Sequence, residues 1–167
     1  MAVRTHILVV ANRTVDSPDL LAALKDRAAE QAIALTVLVP TPWADREAAQ
    51  GRLDAALGTL RDAGIPAEGA LGDQDPMVAV QEAWDPKRMD EVLVSTLGAA
   101  SSHWMRIDLP HRVARLIDCP VRHLEAAPPR EERPGEPVPK KPRQPLLVGL
   151  LSNMHAETHR EAADSPQ

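Results

Sequence analysis

The chain has no phenylalanine and no tyrosine, and three tryptophans are its only aromatic residues. A core without Phe or Tyr has to be filled by Leu, Val, Ile and Ala, which suits helices laid closely on a parallel sheet. Cys119 is the single cysteine, so no intrachain disulfide can form and a reducing, cytoplasmic setting is expected. No apolar run approaches the roughly 20 residues of a membrane span. The first residues hold one Arg and a brief apolar run, which reads as a strand rather than a signal peptide. Positive charge is in short supply as well. The net charge is −5, and residues 1–125 carry 13 Lys/Arg against 18 Asp/Glu. Such a domain repels a phosphate backbone, so nucleic acid is not an expected partner, and neither is a membrane.

What is present suffices for one domain with its own core: 167 residues, 44% of them hydrophobic. His6 to Val10 reads as a central strand. Ser17 offers a helix N-cap, Pro18 a first helical position and Asp19 a first-turn acid, with Leu21, Leu24 and Ala28 as the buried stripe. Ala34 to Val39 is a second strand, closed by Pro40. Asp45 caps a second helix with the stripe Ala49, Leu53, Ala56, Leu57 and Leu60, and Gly64 ends it. Ala67 to Leu71 is a weak third strand suited to an edge. Asp75 and Pro76 open a third helix, with Met77, Val80 and Trp84 facing inward, and Pro86 closes it. The stretch from Asp90 to Leu124 supplies a buried strand through Val92, Leu93 and Val94, a polar loop, a fourth helix and a fifth strand from Val121 to Leu124. Strict alternation of strand and helix implies an α/β fold: a parallel sheet with helices on both faces.

After Glu125 the composition changes. Residues 126–145 contain seven prolines among charged residues, the signature of a disordered linker. Residues 146–167 then form a tail. Its apolar island is Leu146, Leu147, Val148, Leu150 and Leu151 around Gly149, apolar enough to seat on a protein partner. A short helix follows from Ser152. His155 and His159 share one face of it, but two ligands do not make a metal site, and no metal is expected.

Polar residues concentrate in the loop after the fourth strand, where an open α/β sheet places its ligands. Thr96, Ser101, Ser102, His103 and Arg106 offer hydroxyls, an imidazole and a fixed cation suited to an acid or small polar ligand. Trp104 is placed to pin the loop to the sheet. Ser with His and no spaced acid does not read as a nucleophile, so no enzymatic activity is expected. Cys119 reads as a small buried hydrophobe.

The order of elements, the opening ILVVANRT, the GDQDP before the third helix and the closing Cys119-Pro120-Val121 resemble the universal stress protein family across residues 4 to 125. That resemblance implies an open five-stranded parallel sheet in the order 3-2-1-4-5, Rossmann-like and akin to the adenine nucleotide alpha hydrolases. It also implies a homodimer meeting at the fifth strand, and in one branch an ATP site. The branch's signature after the fourth strand is glycine, two residues, glycine, nine residues, then glycine with Ser or Thr. Here only Gly98 stands for a loop glycine. Ile107 and Asp108 fall where the terminal pair belongs, and Asn12 stands where an aspartate contacts adenosine. The pattern STL…SSHWMRIDLPHRV resembles actinobacterial variants in which this loop is rewritten. Leu97 and Ile107 are expected to obstruct a phosphate, and the Asp108 carboxylate to cap the fourth helix and repel one. The expectation is therefore a non-catalytic binding or regulatory module, with ATP binding weak or lost and no required cofactor. An ATP-binding stress-response protein with a divergent loop, and a scaffold acting through its tail, are the alternatives.

Overall fold

A computed structural model describes residues 4–98 and 102–127. The expected linker from residue 128 onward, the apolar island, the His155/His159 pair and Ser101 lie outside the described residues.

Five strands form one parallel sheet in the order β3-β2-β1-β4-β5. They are β1 (Thr5–Val10), β2 (Ile33–Pro40), β3 (Ala67–Gly72), β4 (Glu91–Leu97) and β5 (Val121–Ala126). Each lies within two or three residues of its expected span. β5 runs one residue past the expected domain boundary, because Ala126 still pairs with Leu97 and is buried. The alternating geometry of a strand divides β1 between two cores. Ile7 and Val9 face α1 (Pro18–Glu30) and α2 (Arg46–Asp62). Leu8 and Val10 face α3 (Pro76–Ala83) and α5 (Leu109–Leu116). α4 (His103–Arg106) is a single turn between β4 and α5.

Local sequence explains most of the boundaries. The Ser17 hydroxyl accepts from Leu20 N, and the Asp75 carboxylate accepts from Met77 N, each with proline in the first helical turn. Gly64, at φ 76°, closes α2. Its N–H donates to Arg61 O and that of Ile65 to Leu60 O, which satisfies two orphaned carbonyls. A residue with a Cβ would be strained there.

Two expectations need correction and two need refinement. The α1 stripe centres on Leu20 and Leu24, with Leu21 and Ala28 only partly buried, because the Ser17 cap sets the helix phase. Asp45 does not cap α2 through its side chain. A 3-10 turn, Trp43–Asp45, precedes the helix and already pairs the Arg46 N–H with Trp43 O. In α3 Met77, Val80 and Trp84 face inward as expected, with Ala79 and Val80 the deepest, Met77 and Trp84 partly buried against the same core and Trp84 the C-terminal cap. The expected fourth helix is two helices, α4 and α5. Pro110 cannot donate to the carbonyl four residues back, so one helix cannot run through it, and Asp108 turns the corner in the left-handed region at φ 53°.

Glu91, the first residue of β4, is a structural centre. Its side chain is 8% exposed, and both oxygens are engaged. Arg27 of α1 donates to Oε2 at 2.7 Å, and Arg122 of β5 forms an ion pair with Oε1 at 2.9 Å. A buried carboxylate is tolerated only when paired in this way. Arg27→Ala, at a position 22% exposed, is expected to lower stability by about 1.5–3 kcal/mol in urea unfolding. Arg122→Ala, at a position 60% exposed, is expected to cost less than about 1 kcal/mol.

Candidate functional site

The chain leaves β1 toward β2 on one side, and β4 takes the other side of β1. This reversal opens a crevice at the carboxyl ends of β1 and β4, the ligand position of open α/β sheets. A cleft of about 170 Å³ lies there. One wall is the loop after β1, with Asn12, Arg13 and Thr14. The second is the end of β4, with Ser95, Thr96 and Leu97, and the third is the start of α4, with Ser102, His103 and Trp104.

The loop after β1 is held by its own turns, Val15 N to Asn12 O and Ser17 N to Thr14 O. The Thr14 hydroxyl donates to Ser95 O at 3.2 Å and fastens the loop to β4. Ser102 N donates to Gly98 O at 3.0 Å, and the Ser102 hydroxyl accepts from Met105 N to cap α4. The Thr96 hydroxyl pairs with His123 Nε2 of β5 at 2.8 Å. Ser95 is 1% exposed, and its hydroxyl has no hydrogen-bond partner among the described residues. Arg13 and His103, on the first and third of these walls, are exposed. No aspartate or glutamate is among the described residues that line the cleft.

Of the residues expected from sequence, the structure gathers Asn12, Thr96, Ser102 and His103 around this cleft. Gly98 follows the end of β4 and is not among the residues that line the cleft. Arg106 is exposed and does not line it. Asp108 does not cap α5 with its side chain; its carboxylate bonds His111 Nδ1 at 2.6 Å instead. A residue in the left-handed region at this corner turns its carboxylate away from the helix N–H groups. Ile107 packs against the core beneath α5 rather than standing in the loop, whereas Leu97 does line the cleft. Trp104 pins the segment to that same core, as expected. Cys119 is half-buried rather than fully buried. Burial raises its thiol, with Glu91 and Asp118 adding to the rise against a backbone hydrogen bond that lowers it, so it stays protonated and unreactive at neutral pH. Among the described residues no cluster of three or more His, Cys, Asp or Glu could hold a metal.

No protein-family model and no curated protein matches the sequence. Solved structures do. A universal stress protein from Archaeoglobus fulgidus in complex with dAMP is similar over 75% of this chain and 100% of its own, with TM-score 0.52 and 18% identity. A universal stress protein in complex with cAMP is similar over 75% of this chain and 98% of its own, with TM-score 0.54 and 20% identity. Another structure of an Archaeoglobus fulgidus universal stress protein covers 74% of this chain and 95% of its own, with TM-score 0.53 and 18% identity. The fold is that of the universal stress proteins.

On this universal stress fold, the residues that sequence reasoning missed are Arg13, Thr14, Ser95 and Glu125. The first two carried a signal: they follow an all-apolar central strand directly, where parallel sheets bind ligands. Glu125 carried none. A Cβ added at Gly98 would lie 2.9 Å from Glu125 Oε1. The atom met is the end of an exposed side chain that can swing aside, so the carboxylate lies beside the glycine without requiring it. Ser95→Ala removes a buried hydroxyl that has no partner. It is expected to leave the fold intact and raise stability by about 1 kcal/mol in chemical denaturation.

Proposed function

We propose that the protein is a non-catalytic, ligand-binding regulatory module of universal stress type in which ATP binding is weak or lost. The observation that carries this is the cleft between β1 and β4 together with the Glu125 carboxylate against Gly98. The cleft's 170 Å³ is below the roughly 300–1,000 Å³ of pockets that hold drug-sized ligands. Leu97 stands in one wall. A carboxylate beside the loop opposes a polyphosphate, and like charge at such a distance costs a kcal/mol or more even near a surface. The Asp108 carboxylate is engaged by His111, so the repulsion is assigned to Glu125 instead. Thr96 and His123 form a hydroxyl–imidazole pair, but no carboxylate orients the ring among the described residues, which supports binding over catalysis.

The second reading is an ATP-binding protein with a divergent loop, favoured by the dAMP and cAMP complexes of the two structural neighbours. Titration calorimetry with Mg-ATP separates the two. The expected dissociation constant is weaker than about 10 μM, and Glu125→Gln is expected to tighten it about tenfold. Binding tighter than about 10 μM by the unaltered protein supports the second reading.

The module is proposed to work as a homodimer. β5 is an edge strand, paired only to β4 among the described residues, and an open edge is suited to a two-fold contact with a second copy. Light scattering at tens of micromolar is expected to give the dimer mass; a monomer mass removes this part of the proposal.

A further inference from the structure

The sheet has two edge strands, β3 and β5, and their outer edges differ. We infer that Arg61 and Arg46 close the outer edge of β3 against strand addition by a second copy of the chain. The inference stands whether or not two copies meet at β5.

The ladder fixes which backbone groups face outward. Leu35 stands opposite Ala67, and its N–H donates to Pro66 O at 2.9 Å. In a parallel pair a residue bonds to the two neighbours of the residue facing it, not to that residue itself. Ala67, Gly69 and Leu71 therefore turn their N–H and C=O groups away from β2. A row of this kind is a template for another strand. β3 itself carries little to deter one. Its sequence AEGALG has no Lys, Arg or Pro, and its one charged residue, Glu68, is paired with Arg88 at 3.4 Å. Glu68, Gly69 and Ala70 are exposed.

The guards come from the two ends of α2. Arg61 Nε and Nη2 both donate to Ala67 O, at 3.2 and 3.1 Å. Arg46 Nη2 reaches Leu71 O at 3.5 Å, and its Nη1 reaches Gly72 O at 3.4 Å. Two of the three outward carbonyls are thereby occupied. Trp43 is 86% exposed, and its ring centre lies 5.8 Å from the Arg46 guanidinium carbon. That is cation–π distance, so the indole steadies Arg46 at the edge. A second β3 laid along this edge has to displace both arginines. Across a two-fold axis it also brings the arginines of both copies together, and like charges facing each other oppose pairing. β5 has no such cover. Val92 N donates to Pro120 O, so Val121, His123 and Glu125 face outward by the same rule. Among the described residues no side chain bonds their carbonyls.

Light scattering and amide hydrogen exchange test this on the full chain, on Arg61→Ala and on Arg61→Ala/Arg46→Ala, between about 10 and 500 μM. In the unaltered chain the outward amides of Ala67, Gly69 and Leu71 are expected to exchange faster than those of Glu68 and Ala70, which face β2, at every concentration. At the upper concentration the double variant is expected to reach at least about twice the unaltered mass and to slow the three outward amides about tenfold or more, with Arg61→Ala part-way. The amides of Leu8 to Val10 are expected to stay protected throughout. A double variant that keeps the unaltered mass overturns the inference, as does one that grows without protecting those three amides. Protection of the three in the unaltered chain at high concentration overturns it too, because the edge is then open. If the double variant loses protection at Leu8 to Val10, Arg61→Ala alone decides by the same two readings. Loss of that protection in both variants overturns the inference, because the arginines then hold the fold rather than guard the edge.

Discussion

β1 is hydrogen-bonded to β2 along its whole length and to β4 from Ile7 to Val10, and its side chains from Ile7 onward are out of water on both faces. In such a strand every backbone group must be paired by a neighbour and every side chain must be apolar. Those two demands recruit the rest of the structure. α1 and α2 are needed to cover Ile7 and Val9, and α3 and α5 to cover Leu8 and Val10. The absence of Phe and Tyr is compatible with this, because Leu, Val and Ala let helices approach the sheet closely. Where β1 ends, the pairing ends as well, and the polar run from Asn12 to Thr14 is the first point at which the chain can offer hydrogen bonds to something other than itself.

The carboxyl and amino ends of β4 solve opposite problems. At the amino end, Glu91 is buried and fully paired by Arg27 and Arg122, so the charge is neutralised and joins α1, β4 and β5. At the carboxyl end, Ser95 is buried without a partner and Glu125 leans on Gly98. The first arrangement fixes the fold. The second leaves a local deficit at the place where open α/β sheets bind their ligands. Between β4 and β5 the sequence holds a single glycine, Gly98. Leu97 lines the cleft, Ser102 spends its hydroxyl on capping α4, and Pro110 with Asp108 breaks what would be a single helix into α4 and α5. The consequence is a cleft with one cationic wall and little room.

The alternation of strands and helices, the sheet's edges, the α2 stripe, the Ser17 and Asp75 caps and the Gly64 terminus were legible in the sequence by itself. Each depends on hydrogen bonds or periodicity within a few residues of chain, and a local pattern is enough to specify them. Thr96, Ser102 and His103 were legible as site residues for a related reason, since they lie at or after the carboxyl end of a buried strand, whereas Asn12 was legible only through the family resemblance. The tertiary structure alone decided what those residues do. The Arg27–Glu91 pair joins positions 64 apart in the chain, and the bond from Thr14 to Ser95 joins positions 81 apart. No local pattern records such pairings. The same holds for the commitment of Asp108 to His111 rather than to the helix, for the placement of Glu125 beside Gly98 and for the unpartnered hydroxyl of Ser95. Whether a polar side chain is used up by the fold or left for a ligand depends on what the folded chain brings within hydrogen-bond distance of it, and that is set only when distant strands and helices pack.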